Sequence, residues 1–359
     1  MHDDIYVNGV GVNSKFGHTL DTYWNALFNN KNRRLSPDVL DIERYNSHYT
    51  EYLIDMCIQP ILNIVRGTNM DIEVNKNNCV VIGTGMGLAD EFLHKENVKF
   101  NHMSQLKKKI KNILGTKWKI IIIANACCAG AQAVAYGGDL IKTGAYDNVI
   151  AGGAEAFSTI TYGGFRRLNS IDADGCRPFD KKRNGINVGD GAVFFLLQKN
   201  KSHTSCCKIL GSATTNDAYH IVAPSPDGVQ ASKAIEKAIA TANIGHSSID
   251  AVVAHGTGTK VNDQIESRIL FDIFGAVDVT APKGKIGHTG GASGAFGILT
   301  AIAMLKYQKI PYIINLKEKD ETIKVNVVHK KAVKKPLKNI LVNSFAFGGT
   351  NTVLVCGAV

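Results

Sequence analysis

The sequence predicts an α/β protein in which one arrangement of strands and helices occurs twice. Short apolar runs typical of strands alternate with longer amphipathic segments typical of helices. Each half of the chain contains a helix of small residues that is followed by a strand. Because no short-period repeat accompanies this similarity, we interpret it as an internal duplication and not as a solenoid. The 359 residues suffice for two domains or one double-sized domain.

The first half is expected to contain five strands, because β-branched and apolar residues cluster in five short runs. These runs lie at residues 5–7, 80–82, 120–123, 149–151 and 193–197. A helix with an apolar stripe is predicted over residues 131–140, directly after the third strand. The short polar segment at residues 201–205 could join two halves, so we place the first domain at residues 1–205 and the second at 206–359.

The second half is expected to repeat the pattern. Strands are predicted at residues 251–254, 285–286, 311–315 and 340–342. A second helix of small residues is predicted to begin at His288, with an apolar stripe formed by Ile298, Ala301, Ile302 and Leu305.

Composition and charge restrict the possible partners. The formal charge is +10, with basic clusters at residues 107–111, 181–183 and 330–335, which favour an acidic partner. No nucleic-acid-binding motif is present, and the longest nearly apolar stretch, residues 120–135, is too short for a bilayer span. No secretion signal is visible, so we expect a cytosolic protein. None of the eight cysteines forms a C-x-x-C pair, so no metal site is predicted.

Cys127 is a candidate nucleophile. It follows a predicted strand, lies among very small residues at positions 124–131, and precedes a predicted helix. The partial positive charge at a helix N-terminus favours the thiolate, the form that attacks carbonyl groups. The alternative is a small buried cysteine that only packs in a tight strand–helix turn.

Three further segments place polar groups near predicted strand ends, where open α/β sheets build their sites. They are His-Gly-Thr-Gly-Thr at residues 255–259, Lys-x-x-x-x-His at 283–288, and Asn-Ser-Phe-Ala-Phe-Gly-Gly-Thr-Asn at 343–351. Each has a structural alternative when taken alone, since histidines and paired glycines are common in ordinary turns.

Together, and in this order, the four segments resemble the β-ketoacyl-[acyl-carrier-protein] synthases of the KAS I/II type, which belong to the thiolase superfamily. The resemblance extends through residues 151–155, 177–180 and 189–192. It implies a thiolase fold, an α/β architecture with duplicated five-layer αβαβα order. The implied reaction is the decarboxylative Claisen condensation of a Cys-bound acyl chain with malonyl-acyl carrier protein, which gives 3-ketoacyl-acyl carrier protein.

The resemblance also assigns the reacting groups. Cys127 is expected to accept the acyl chain as a thioester, and His255 and His288 to bind the malonyl thioester carbonyl through ring N–H donors. Backbone N–H groups of Cys127 and Phe347 are expected to form the oxyanion hole, with Phe347 also acting as a gate. The second cysteine of thiolases and the Asn of type III synthases have no counterpart in this arrangement.

Four other residues match supporting positions of the family. Lys283 and Glu266 are expected to form an orienting, electrostatic pair, for which an ordinary buried ion pair is the alternative. Thr257 and Thr259 are expected to hydrogen-bond the pantetheine arm. No free cofactor is implied, because the substrates travel on the phosphopantetheine of the carrier protein.

The implied partners are an acyl carrier protein and a second subunit, in a homodimer or a heterodimer with a ketosynthase-like chain-length factor. The chain is shorter than most relatives between residues 30 and 118, and Ala346 replaces a usual glycine of the gate loop. These departures favour specialised polyketide or polyene synthesis over housekeeping fatty-acid elongation. The same residues are also compatible with a catalytically silent partner subunit or with an acyltransferase that lacks condensing activity.

Overall fold

The computed structural model describes residues 4–29, 49–68, 77–87, 89–90, 102–115 and 117–359. The described strands are β1 Ile5–Asn13, β2 Asn78–Thr84, β3 Trp118–Ala124, β4 Asn148–Glu155, β5 Gly191–Gln198, β6 Cys207–Asn216, β7 Ala251–Val253, β8 Asp278–Thr280, β9 Lys309–Ile310, β10 Asn326–Val327, β11 Val333–Lys334, β12 Asn339–Phe345 and β13 Thr350–Gly357. The described helices are α1 Leu20–Ala26, α2 Tyr49–Gly67, α3 His102–Leu114, α4 Ala129–Lys142, α5 Thr159–Arg167, α6 Val229–Ala242, α7 Lys260–Phe274, α8 Lys283–Ile286 and α9 Ser293–Tyr307.

The order of the strands repeats itself across the large sheet. The sheet runs β3-β2-β4-β5-β1 and continues β6-β13-β12-β7-β8-β10. β2 pairs in parallel with β3 and β4, as β7 does with β8 and β12, and each half ends in two antiparallel pairings. The halves join where β1 runs antiparallel to β6, with Ile5 opposite Ile209. This topology confirms the predicted duplication, and the boundary between residues 205 and 206 stays a prediction.

Helices and sheet halves alternate in five layers. α4 and α9 pack against each other between the two halves of the sheet, where their apolar residues share one buried cluster. α2 and α3 cover the outer face of the first half, and α6 and α7 cover that of the second. Burial of these apolar faces is the main force that holds such layers together. The layering confirms the predicted five-layer α/β architecture.

Two glycines allow the turns before α4 and α9 to meet at the centre of the molecule. A Cβ atom at Gly130 would lie 2.7 Å from the carbonyl oxygen of Gly291, and one at Gly291 would lie 2.4 Å from the nitrogen of Gly85. A side chain at Gly130 would push α4 away from the turn before α9, and one at Gly291 would push that turn away from the end of β2. The small-residue composition seen in the sequence therefore serves close backbone approach.

The structure corrects three predicted elements. Residues 285–286 belong to the helical turn α8 and not to a strand, and residues 311–315 are not a strand, although the short β9 ends directly before them. Pro282 immediately precedes α8, and proline is favoured at the start of a helical turn. α9 begins at Ser293 rather than His288, because the three-ten turn Gly290–Ala292 comes first.

Part of the segment between residues 30 and 118, in which the chain is expected to be shorter than its relatives, lies outside the described residues. Within the described part of the chain, no helix has both the length and the apolar character to cross a bilayer.

Candidate active site

The structure brings the four predicted segments to the carboxyl ends of parallel strands, as expected. Cys127 follows β3, His255 follows β7, Lys283 follows β8 and Phe347 follows β12. A cleft of about 280 Å³ opens among them. Six of the residues chosen from the sequence line it, namely Cys127, His255, His288, Thr257, Thr259 and Phe347. A second cavity of about 320 Å³ shares Cys127, His288 and Phe347 with the first.

Cys127 lies in a three-ten turn, Ala126–Cys128, directly before α4. The preceding residue, Ala126, has a φ of 41°, which a residue with a side chain adopts at some cost in energy. The thiol of Cys128 points the other way and donates to the carbonyl oxygens of Ser344 (2.9 Å) and Thr350 (3.1 Å). Of the two adjacent cysteines, only Cys127 lines the cleft.

The ionisation of Cys127 differs from the sequence-based expectation. Burial raises the pKa of the thiol to about 11, although Lys283 and the backbone N–H groups of Phe347 and Cys127 lower it. The helix terminus does not produce a thiolate here, because the cost of desolvating the charged form exceeds the gain from nearby positive charge. The same two N–H groups lie near the sulfur, where the predicted oxyanion hole requires them.

Both histidines are held as neutral rings that carry the hydrogen on Nε2. Nδ1 of His288 accepts the backbone N–H of Gly290 at 3.2 Å, and Nδ1 of His255 lies 3.5 Å from Nζ of Lys283. Because Nδ1 is the acceptor in each ring, we assign the hydrogen to Nε2. Burial and the charge of Lys283 lower both pKa values, that of His288 to about 3. The ring centroids are 6.0 Å apart and the rings nearly perpendicular.

The buried neutral state of His288 should make the protein sensitive to acid. Its pKa is about 3 when folded, against an ordinary value of 6.5, so between these values the unfolded chain binds the extra proton. The free energy of unfolding should therefore fall as the pH drops below about 6.5, by about 1.4 kcal/mol per pH unit for this group. Urea denaturation between about pH 7.5 and pH 5 should show a shallower fall in His288→Asn. Equal slopes in the two proteins would contradict the assignment.

Lys283 and Glu266 both stabilise the loop that carries His255. They do not form the direct ion pair that was the alternative to an orienting, electrostatic pair, although the charge of Glu266 raises the pKa of Lys283 against the larger effect of burial. Nζ of Lys283 donates to the carbonyl oxygen of His255 at 2.6 Å. The Glu266 carboxylate accepts the backbone N–H groups of His255 and Gly256, both at 2.8 Å, and the side-chain amide of Asn343 at 3.0 Å. Because these three donors bind the Glu266 carboxylate, Lys283 and Glu266 each bond to the loop and not to each other.

Two buried carboxylates at the site were not predicted from the sequence. Asp263 accepts the backbone N–H groups of Thr257 (3.0 Å) and Gly258 (3.2 Å) and thereby holds the loop that carries Thr257 and Thr259. Its position three residues before Glu266, on the same face of α7, was the available signal. The second is Glu155, at the end of β4, which lines the second cavity.

Phe347 is the exposed tip of a tight turn that follows β12. The N–H of Ala346 donates to the carbonyl of Thr350 at 2.8 Å, and that of Gly349 to the carbonyl of Ala346 at 3.1 Å. The Phe347 ring lies 5.4 Å from that of Phe165, between the two cavities. Gly348 has a φ of 82°, whereas Ala346 is not in the left-handed region. The methyl group of Ala346 therefore adds no backbone strain in this conformation.

Comparison with known proteins agrees with this fold and site. Residues 73–203 match the N-terminal domain of the β-ketoacyl synthases, and residues 206–317 match their C-terminal domain. The chain belongs to the β-ketoacyl synthase family, whose members are condensing enzymes of the acyltransferase type. It is thus a ketosynthase with the thiolase fold.

Individual relatives show how far the similarity extends. The 3-oxoacyl-[acyl-carrier-protein] synthase 2 of Mycobacterium bovis is 32% identical over 315 residues, which cover 79% of this chain and 76% of that protein. The solved ishigamide ketosynthase/chain length factor has a TM-score of 0.85 and 24% identity over 100% of both chains. The solved AntDE:AntF complex, a type II polyketide acyl-carrier protein with its ketosynthase bound to the hexaketide, has a TM-score of 0.88 and 21% identity over 99% of both chains.

Proposed function

We propose that this ketosynthase condenses an acyl chain held on Cys127 with a malonyl unit on an acyl carrier protein, in specialised polyketide or polyene synthesis. The observation that carries the proposal is the convergence of one thiol and two imidazoles on a single cleft. The thiol lies more than a hundred residues before either histidine in the sequence, yet all three line the same cleft. The substrates arrive on the phosphopantetheine arm of the carrier, and no free cofactor takes part.

In the first half-reaction, the sulfur of Cys127 attacks the acyl-carrier thioester. The backbone N–H groups of Cys127 and Phe347 stabilise the oxyanion that forms on the acyl carbonyl. The pantetheine thiol leaves and takes up the proton that Cys127 loses, which balances the exchange. The hydroxyl groups of Thr257 and Thr259, 2.9 Å apart at the cleft wall, are placed to hydrogen-bond the pantetheine arm.

In the second half-reaction, Nε2–H groups of His255 and His288 donate to the malonyl thioester oxygen. Loss of carbon dioxide leaves its electron pair as an enolate, which these donors stabilise without giving up a proton. Each donor of this kind contributes about 3 to 4 kcal/mol to transition-state stabilisation. The enolate carbon then attacks the acyl-Cys127 carbonyl and displaces the sulfur, which leaves as a thiolate and takes up a proton from water. Lys283 and Glu266 act by fixing the loop that carries His255.

Features around the cleft mouth support docking of an acidic carrier protein. Arg166, Arg167 and Lys260 are exposed there, in a chain with a net charge of +10. Leu168 and Val261 line the cleft, and 46% and 55% of their surfaces respectively are exposed. Basic residues around an exposed apolar patch suit an acidic partner that also buries apolar surface.

The edge strand β3 supports a dimer. β3 ends the large sheet, and Ile121, Ile122 and Ile123 on it are only half-buried. An apolar edge strand of this kind tends to pair with another chain. We propose a second subunit here, either a copy of this chain or a chain-length factor like the one named in the ishigamide structure.

The choice between polyketide and fatty-acid synthesis is tested by mass spectrometry of the intact protein. The protein, alone or together with neighbouring gene products, would be incubated with carriers that bear saturated, 3-keto or polyene acyl chains. Malonyl carrier would then be added. We expect an adduct on Cys127, release of carbon dioxide and faster extension of the 3-keto or polyene chains. Preference for saturated chains would assign housekeeping elongation. An adduct without carbon dioxide would indicate acyl transfer alone. The absence of both the adduct and carbon dioxide, in a protein whose Cys127 can still be alkylated, would indicate a silent subunit.

A further inference from the structure

Glu155 is a buried carboxylate at the centre of the molecule that the proposed mechanism leaves without a role. It ends β4, only 4% of its surface is exposed, and it lines the cavity that Cys127 also lines. A buried carboxylate is costly unless hydrogen bonds or charges compensate it. Its position beside the thiol therefore calls for an explanation.

The hydrogen bonds of Glu155 connect two separate segments of backbone. Oε2 accepts the N–H groups of Gly85 (2.5 Å) and Gly291 (2.7 Å). Oε1 accepts the N–H of Met86 (3.0 Å) and the hydroxyl of Thr84 (3.2 Å). The first segment follows β2 and the second is the turn before α9.

These four donors also bear on the charge of Glu155. Three of them are backbone N–H groups, which can only donate, and each carboxylate oxygen accepts at least one of these three. We assign the ionised form on this geometry. Burial outweighs the hydrogen bonds, however, and raises the pKa of Glu155 above its ordinary value.

Both segments form walls around the reacting groups. Gly85, Met86, Gly290 and Gly291 line the same cavity as Cys127. The N–H of Gly290 is the donor that holds Nδ1 of His288, so the position of this turn decides which ring nitrogen of His288 carries the hydrogen. The fit is close, because a Cβ atom at Gly290 would lie 2.7 Å from Cγ of Glu155.

We propose that Glu155 is a positioning residue for the condensation. Its carboxylate holds residues 85–86 and 290–291 around the Cys127 thiol and sets the tautomer of His288, while its negative charge adds to the burial that keeps the empty thiol protonated. The charge of Lys283 opposes this effect on the same thiol. This inference rests on the proposed reaction for the role of His288, whereas its effect on the thiol requires no turnover.

The test compares Glu155→Gln with Glu155→Asp. Gln removes the charge, and Asp keeps the charge but is too short to reach both segments. The rate of Cys127 alkylation by iodoacetamide would be followed against pH by peptide mass spectrometry, since only the thiolate reacts. Removing a negative charge stabilises the thiolate, so we expect alkylation in Glu155→Gln to rise about tenfold at a fixed pH, equivalent to a downward shift of one pKa unit.

A purely structural role is excluded by a matched control. Asp180 is a buried carboxylate that accepts the backbone N–H groups of Lys317 (2.8 Å) and Glu318 (3.1 Å) and lines neither cavity. Asp180→Asn should lower the melting temperature but keep the parental alkylation profile. An unshifted profile in Glu155→Gln, or the same shift in Asp180→Asn, would overturn the proposal.

Glu155→Asp keeps the proposal testable if the Gln variant does not fold. We expect it to retain the parental alkylation profile and acyl transfer to Cys127, but to release carbon dioxide from malonyl carrier about tenfold more slowly, as positioned donors lose alignment. Parental carbon dioxide release in this variant would overturn the positioning role. A parent protein that forms neither an adduct nor carbon dioxide would instead refute the proposed function, whatever the alkylation profiles show.

Discussion

Replacing Cys127 by alanine should abolish condensation, with a fall in product formation of at least about a thousandfold. No other thiol of the described residues lines the cleft, so the acyl chain loses its point of attachment. Release of carbon dioxide from malonyl carrier should persist, because His255 and His288 remain in place. The measurement is 3-ketoacyl product by mass spectrometry together with carbon dioxide release from the same sample.

The neighbouring thiol provides a matched control for this experiment. Cys128→Ala removes a buried thiol that donates only to backbone carbonyl groups, at a cost of about 1 kcal/mol in the free energy of unfolding. It should keep both acyl loading and condensation. A Cys127→Ala protein that still forms carbon–carbon bonds at the parental rate would refute the assignment of the nucleophile.

Replacing His255 or His288 by alanine should slow decarboxylation of malonyl carrier by about 10² to 10³, the usual effect of losing one preorganised donor. Transfer of the acyl chain to Cys127 should be nearly unchanged, because the oxyanion hole proposed for that step consists of backbone N–H groups near the sulfur. The two half-reactions can be measured separately, as adduct formation and as carbon dioxide release. Equal losses in both would contradict the division of roles.

A conservative variant and the pH profile sharpen this test. His288→Asn keeps a side-chain N–H donor and should retain more activity than His288→Ala. Because burial and Lys283 lower both imidazole pKa values far below 6.5, decarboxylation by the parent should show no loss near that pH. A titration of activity centred near 6.5 would mean that an imidazole exchanges a proton in this step.

Much of the site could be predicted from the sequence because its reacting groups occur in short motifs at strand ends. Cys127, His255 and His288 follow three different strands, and parallel strands bring their carboxyl ends to one edge. The errors lay where a short apolar run fits more than one structure. Residues 285–286 are the clearest case, since two residues carry no periodicity and the preceding Pro282 favours a helical turn.

The contacts of the charged residues could not be predicted in the same way. Glu266 and Lys283 were paired because they match a lysine and a carboxylate of the family, yet each bonds to backbone groups of the loop that carries His255. Every residue except proline has a backbone N–H group, so the sequence does not indicate which carboxylates accept hydrogen bonds from the backbone. Glu155 was missed for this reason. The two backbone segments that it connects also lie far from it in the sequence, 70 and 136 positions away.

The sequence by itself determined the fold class, the duplication and the candidates for nucleophile and donors, because these depend on residue type and order along the chain. Only the tertiary structure decided their ionisation. The thiol expected as a thiolate has a pKa of about 11, and the histidines are neutral donors, because burial removes water from charged groups. Desolvation depends on how completely distant segments close around a side chain, and that is a property of the folded molecule alone.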